Sequence, residues 1–244
     1  MTSILSPAFT YPDQLDVQLR QQGWAVLSPR GVQELSTCSL DELGRLRDSW
    51  NDLPPDTYLK DGGRYRKRRH SSFVVEGDRV EPAPHRAHWQ PVEYNALHGG
   101  MERWFEPMHG DVVSAPSWGC LLRSLGHVTS RLKGTQPWYV EAHQFRIDTE
   151  GGIGRPTPEG AHRDGVDLVA VFLVGREDIK GGETRVFQAD GPAGQRFTLT
   201  EPWSVLLLDD ERVIHETTPI QPVGERGHRD TLVLTYRAGG FQGA

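Results

Sequence analysis

Apolar residues recur at helical spacing along the first half of the chain and alternate along the second. Residues 12–22 open with Pro12 and stop at Gly23, the asymmetry of a helix that starts on proline and ends on glycine. Trp24-Ala25-Val26-Leu27 reads as a short strand. Ser39 and Glu42 have capping-box spacing, and Leu40, Leu43, Leu46 and Trp50 follow on one helical face until Pro54-Pro55 ends it. Leu121, Leu122, Leu125, Val128 and Leu132 predict an amphipathic helix that closes before Gly134. From Trp138 the period becomes two. Short runs at 138–148, 166–174, 183–188, 195–200, 203–208 and 229–237 are separated by Gly, Pro, Asp or Glu turns.

Helices first and short strands afterwards predict a mainly β, α+β fold: a double-stranded β-helix (jelly roll, cupin-like) with an N-terminal helical layer. The 244 residues suit one domain. Within it, 1–136 read as helical support and lid segments and 137–238 as the jelly-roll core. Two stretches resist a periodic reading. Residues 61–72, which include Arg64, Arg66, Lys67, Arg68 and Arg69, read as a solvated loop or edge strand. The alternative points Arg66 or Tyr65 into a pocket to bind a substrate carboxylate. Residues 82–116 read as long connections that can lid a site; His85, His88, His98 and His109 lie there, with no downstream pair at metal-ligand spacing.

Composition narrows the function. Seventeen Pro and 27 Gly fit a turn-rich β body. A formal charge of −6 argues against general attraction to nucleic acid or anionic membrane. With only Cys38 and Cys120, a disulfide framework and a cysteine zinc module are both excluded, and a reducing, cytoplasmic setting is expected. The first residues show no basic region followed by an apolar run, so no secretory signal is expected, and no apolar window is long enough to span a membrane. Nothing in the sequence sets an oligomeric state.

Two imidazoles and one carboxylate can hold a metal on one face and leave the opposite face open, the ligand set of non-haem Fe(II) oxygenases. His-x-Asp occurs three times, as His109-Gly110-Asp111, His162-Arg163-Asp164 and His228-Arg229-Asp230, so the triplet alone selects nothing. Context does. His215 follows Asp164 by 51 residues, with about three strand-like runs between, as a jelly roll requires for a returning third ligand. The first triplet lies in irregular chain, and the last has no later His. A 2-oxoacid on such a metal leaves its far carboxylate buried, which calls for a fixed cation. Arg229 shares one strand face with Thr231, Val233 and Thr235, while Leu232, Leu234 and Tyr236 share the other. Gln144 and Arg146 fall on one face of strand 138–148, either inward to co-substrate or substrate, or outward as a polar surface.

His162-x-Asp164, Gly181-Gly182-Glu183-Thr184, His215-x3-Pro219 and Arg229-Asp230 resemble the 2-oxoglutarate/Fe(II) dioxygenases. Among these the sequence looks most like the bacterial free-amino-acid hydroxylases of the isoleucine 4-hydroxylase type, and His143-Gln144-x-Arg146 is similar too. The resemblance covers residues 138–237 well and the N-terminal half loosely. It implies Fe(II) held by His162, Asp164 and His215, 2-oxoglutarate paired with Arg229 and helped by Thr231 and Gln144, and O2 as oxidant. It also implies hydroxylation of an unactivated C–H bond of a small molecule, a free aliphatic L-amino acid, with release of succinate and CO2. Tyr65, Arg66 and Arg146 are the substrate candidates. Two alternatives stay open: the same chemistry on a peptide or carrier-bound intermediate, and a non-catalytic metal-binding jelly-roll module.

Overall fold

The computed structural model describes residues 4–60 and 62–243; Asp61 of the basic run and residues 1–3 of the N-terminal reading lie outside the described residues. The helical layer forms where capping and periodicity place it. A 3-10 turn at Pro12–Gln14 leads into α1 (Leu15–Gln22), which ends on Gly23 in the left-handed region. After β1 (Trp24–Leu27) comes α2 (Pro29–Ser36), capped by the Ser28 hydroxyl. The capping box at Ser39 and Glu42 opens α3 (Leu40–Arg45), and the expected continuation through Trp50 is a 3-10 helix, Leu46–Asp52. The single turn α4 (Gly110–Val113) precedes α5 (Pro116–Lys133), which lays Leu121, Leu122, Leu125 and Val128 on the sheet. No helix among the described residues is long and apolar enough to cross a membrane.

The remaining strands are β2 (Arg66–Glu76), β3 (Arg79–Pro82), β4 (Trp138–Asp148), β5 (Leu168–Glu177), β6 (Ile179–Gly181), β7 (Thr184–Gln188), β8 (Gly194–Phe197), β9 (Val205–Asp209), β10 (Val213–Thr217), β11 (Ile220–Pro222) and β12 (His228–Arg237). A seven-stranded antiparallel sheet has the order β1-β9-β5-β12-β4-β2-β3. A three-stranded sheet, β10-β7-β8, faces it, and the β11-β6 pair continues that second layer. The result is the double-stranded β-helix.

Strand alternation sorts side chains between two compartments. On the helical side, Leu232, Leu234 and Tyr236 of β12 join Val140 and Ala142 of β4 and Phe73 and Val75 of β2 beneath α5. The Tyr236 hydroxyl donates to the Leu122 carbonyl (2.8 Å). Between the sheets, Val169, Leu173, Leu206 and Leu208 meet Val186, Phe197 and Val213 and fill one end of the barrel. Each such fully buried side chain contributes about 1.5–3 kcal/mol. The other end is plugged by Tyr65, Ile147, Ile179 and Ile220.

Two expectations are corrected here. The jelly-roll core is not confined to 137–238, because β1, β2 and β3 all belong to the large sheet. The basic run is not a solvated loop or an edge: β2 lies between β3 and β4, with Arg66, Arg68 and His70 buried on its inner face. A charge-rich strand can enter a barrel when its partners come from elsewhere, and here Asp56 receives Arg66 Nε at 2.7 Å.

Candidate active site

A cavity between the sheets is lined by the inward residues of β12 (Arg229, Thr231, Val233, Thr235), β4 (Glu141, His143, Phe145, Ile147) and β2 (Arg66, Arg68). β12 and β4 pair with Arg229 opposite Ile147, Thr231 opposite Phe145, Val233 opposite His143 and Thr235 opposite Glu141, so each matched pair shares the inner face. His88, Gln90, Asn95 and Arg103 close the cavity from the 83–109 connection, and Pro156, Thr157 and Glu159 from the loop before His162.

His162, Asp164 and His215 stand together on this wall, one ligand atom from each lying within 4.8 Å of the others. His215 is central in β10. His162 lies on a single antiparallel bridge beside it, with amide-to-carbonyl bonds of 3.0 Å in both directions. His162 Nδ1 faces the Gly160 carbonyl at 2.9 Å, which fixes the proton on Nδ1 and leaves the Nε2 lone pair for a metal. Asp164 is held by main chain: its amide and those of Gly165 and Val166 all donate to the Asp210 carboxylate, at 3.0, 2.7 and 3.1 Å. Gly165 has φ +76°, and a Cβ there would lie 2.5 Å from the Tyr94 ring, so glycine is required.

The donor set fits one ion. His162 Nε2 is 3.9 Å from Asp164 Oδ1 and His215 Nε2 is 3.8 Å from Asp164 Oδ2. Two ligands each about 2.1 Å from one metal can be at most about 4.2 Å apart, and both distances fall within that, each imidazole facing its own oxygen of the carboxylate. Electrostatics differ among the three ligands. Burial disfavours a charged His162, but Asp164 and Glu159 outweigh it and hold its pKa above the ordinary imidazole value. Burial, with His162 beside it, keeps His215 well below that value, as a neutral ligand must be. Burial also raises Asp164, and it pushes Asp210 up to about 7 with Asp164 adding to the effect.

Arg229 is 4% exposed, and its guanidinium has no hydrogen bond or ion pair among the described residues. Its neighbour Asp230 faces the other side of the sheet, taken by Arg146 at 2.8 and 2.7 Å. Burial lowers Arg229 to about 10, still a cation at neutral pH. A buried cation with no ion-pair partner suits an anion, and the Thr231 side chain opens onto the same cavity.

Other expected residues fall elsewhere. Gln144 points to the helical side and donates to the Ser49 hydroxyl (2.7 Å), so it does not reach the co-substrate space. Arg146 is on that same face, bound to Asp230 and Asn51. Tyr65 packs with Ile147, Ile179 and Ile220 off the cavity wall. Arg66 does line the cavity, paired with Asp56. The histidines of the long connection are not all without metal-type partners either: His88 meets His70, Glu141 and His143 in a second buried cluster.

Several wall residues gave no sequence signal of their own. Gln90 Nε2 donates to Asp164 Oδ1 (3.2 Å), while its Oε1 accepts from Asn95 (3.1 Å) and Arg103 (2.9 Å), so the amide can face the carboxylate only with its nitrogen. Arg68 lies between the rings of Phe105 and Phe145, 3.7 and 4.4 Å from their centroids. An inward face could have been assigned to Glu141 and His143 from Val140 and Ala142, whose apolar side chains mark the opposite face of β4.

Two sheets around a facial His–Asp–His set define a non-haem iron oxygenase site. The family model for 2OG-Fe dioxygenases matches residues 47–235, and the chain belongs to that family. The family's requirements are Fe(II), 2-oxoglutarate and O2. The chain is similar to a bsmA homolog from Methylobium petroleophilum, at 53% identity and TM-score 0.93 over 100% of this chain and 99% of that one. It shares its fold with IDO from Bacillus thuringiensis, at 16% identity and TM-score 0.76 over 98% and 100% of the two chains. It also shares it with the Fe(II)/α-ketoglutarate-dependent dioxygenase TqaL, at 18% identity and TM-score 0.71 over 95% and 90%. No curated protein matches.

Proposed function

We propose that the chain hydroxylates an unactivated C–H bond of a free aliphatic L-amino acid, releasing succinate and CO2. One observation carries the reading: a three-ligand metal set and an unpaired buried arginine open onto the same cavity. In this reading His162, Asp164 and His215 hold Fe(II), and Arg229 with Thr231 binds the far carboxylate of 2-oxoglutarate. Bound there, iron with 2-oxoglutarate and O2 supplies the oxidising power that the side chains lack.

The chain's own residues supply placement and dryness. The bond from His162 Nδ1 to the Gly160 carbonyl holds the ring's orientation, and Gln90 and the three amides on Asp210 hold that of Asp164. Val166, Val171 and Val233 give the cavity an apolar side that keeps water from the reacting carbon. Cover from the 83–109 connection and the 149–160 loop supports a small substrate over a peptide or carrier-bound one, which needs a groove open at both ends. Two free cysteines and a net charge of −6 support a reducing cytoplasmic setting without nucleic-acid partners.

The test is incubation with Fe(II), ascorbate, 2-oxoglutarate and each free amino acid, followed by mass analysis for products that gain one oxygen. Substrate-stimulated succinate and an oxygenated amino acid are expected. Succinate formed with no amino acid oxygenated would reject the substrate class; no turnover of 2-oxoglutarate at all would reject the enzyme.

A further inference from the structure

Four arginines line the cavity: Arg66, Arg68, Arg103 and Arg229. Asp56 lies 2.7 Å from Arg66 and 3.9 Å from Arg68, and Arg68 also meets His143 Nδ1 at 2.6 Å. Arg103 and Arg229 have no carboxylate at ion-pair distance among the described residues. Arg229 is accounted for by the co-substrate. Arg103 is not. It is 2% exposed, its Nη2 is bound only to the neutral Gln90 amide, and its Nε has no partner. Of the carboxylates near it, Asp56 is engaged by Arg66, and Glu141 by Arg86 (2.9 Å), His88 (3.1 Å) and His70 (3.3 Å); Glu159 attracts it from beyond ion-pair distance.

Glu159 is the matching case of opposite sign. It lines the same cavity, its Oε2 is buried without a hydrogen bond, and its Oε1 approaches only His162 Nε2, at 3.6 Å. That nitrogen is the one turned to the metal, so with iron bound the Glu159 carboxylate has no direct ion-pair partner among the described residues, and Arg103 attracts it only from beyond that distance. The cavity therefore holds one cation and one anion that attract each other yet form no direct ion pair, with neither in direct contact with a protein group of opposite fixed charge once His162 binds the metal. A buried charge left so is strongly unfavourable, and one molecule carrying both complementary charges relieves the two together.

We infer that Arg103 and Glu159 form the recognition pair for a zwitterionic α-amino acid, Arg103 taking its carboxylate and Glu159 its ammonium. This rests on the amino-acid reading above and makes it specific, since an amine, a simple carboxylic acid or an interior peptide residue satisfies at most one of the two. The backbone fixes the arginine end: Arg103 and His88 exchange amide-to-carbonyl bonds of 2.9 and 3.0 Å. Through Gln90 the same guanidinium is two hydrogen bonds from Asp164, so the carboxylate site and the metal ligand are held in fixed relation.

The experiment measures kcat/KM of the iron-loaded enzyme for each amino acid that stimulates succinate formation, against its α-amide and its N-acetyl derivative. Calorimetric binding of the same three ligands to the anaerobic Fe(II)–2-oxoglutarate complex gives a readout independent of turnover. Removing either charge is expected to cost on the order of 100-fold or more in kcat/KM and in affinity. Arg103→Gln should abolish discrimination against the amide, Glu159→Gln discrimination against the N-acetyl form, each raising the amino-acid KM far more than the 2-oxoglutarate KM. If Arg103→Gln does not fold, Arg103→Lys keeps the charge, loses the fork, and should show an intermediate amide preference. Equal use of parent, amide and N-acetyl ligand overturns the inference. So does a Glu159→Gln enzyme that loses iron while its amino-acid KM stays put, which would make Glu159 a metal ligand. If succinate forms but no amino acid couples, the inference fails and the iron chemistry stands; with no 2-oxoglutarate turnover, both fail.

Discussion

Two buried clusters with the composition of metal sites share one cavity, and only one of them is built to hold an ion. The rings and carboxylate of His162, Asp164 and His215 are held from behind, through the Gly160 carbonyl, the Asp210-bound amides and a strand bridge, so that a ligand atom of each faces the other two. His70, His88, Glu141 and His143 are more fully buried and equally close; ligand atoms of His88, Glu141 and His143 are engaged, while neither ring nitrogen of His70 has a hydrogen bond. Arg68 donates to His143, Arg86 and His88 to Glu141, and the rings of His70 and His143 stack at 4.7 Å. A dication there would also sit among guanidiniums, each costing about 8 kcal/mol at about 4 Å and an effective dielectric of about 20. Residue type does not make a metal site; the lone pairs and the charge around them do.

The comparison is broken most forcefully at the ligands. His215→Ala should abolish iron binding and lower 2-oxoglutarate turnover by more than about 10³-fold, or about 4 kcal/mol, whereas His70→Ala should keep one iron per chain; a second tightly bound equivalent in the native protein would overturn the distinction. Next in size is Glu141→Gln, which strips the counter-charge from the arginine–histidine cluster. Urea unfolding should show a loss of about 3–5 kcal/mol with iron content unchanged. Arg229→Gln should raise the KM for 2-oxoglutarate about 100-fold; an unchanged KM would move that carboxylate elsewhere.

Acid sharpens the contrast further. Burial holds His88 neutral, its pKa lowered to about 3. The unfolded chain takes up that proton near the ordinary value of 6.5 and the folded chain does not, so stability falls as pH drops from 6.5 to about 3. His70 and His143, also lowered by burial, act in the same direction. Glu141, held low by His88 and His70 despite burial, adds its loss only below 4.5, as pH falls toward its depressed folded value. Unfolding midpoints that stay flat across the first window would mean the imidazoles are charged in the fold. Smallest of all is Gln144→Leu, expected to cost about 1 kcal/mol through Ser49 and to leave the 2-oxoglutarate KM unchanged.

The sequence made the site legible where the information was local. Alternation in β12 put Arg229 and Thr231 opposite Leu232 and Leu234, and it did so without knowledge of any partner strand. The capping box at Ser39 and the stop at Gly23 are equally self-contained. Gln144 went wrong because the face of β4 depends on which side the helical layer covers. Arg68, Arg103 and Glu159 were invisible for a similar reason: burial of a charge is set by partners far along the chain, and runs of arginine usually face water.

The bridge between His162 and His215 joins positions 53 residues apart, so neither half of the iron site exists until the second sheet has closed. An unfolded chain offers the ion only scattered imidazoles. Iron therefore acts as a ligand of the folded state, adding about 2.7 kcal/mol when its free concentration is about 100 times Kd. The melting temperature should climb with iron supply, and a cell short of iron would hold less of the folded protein as well as less of its activity.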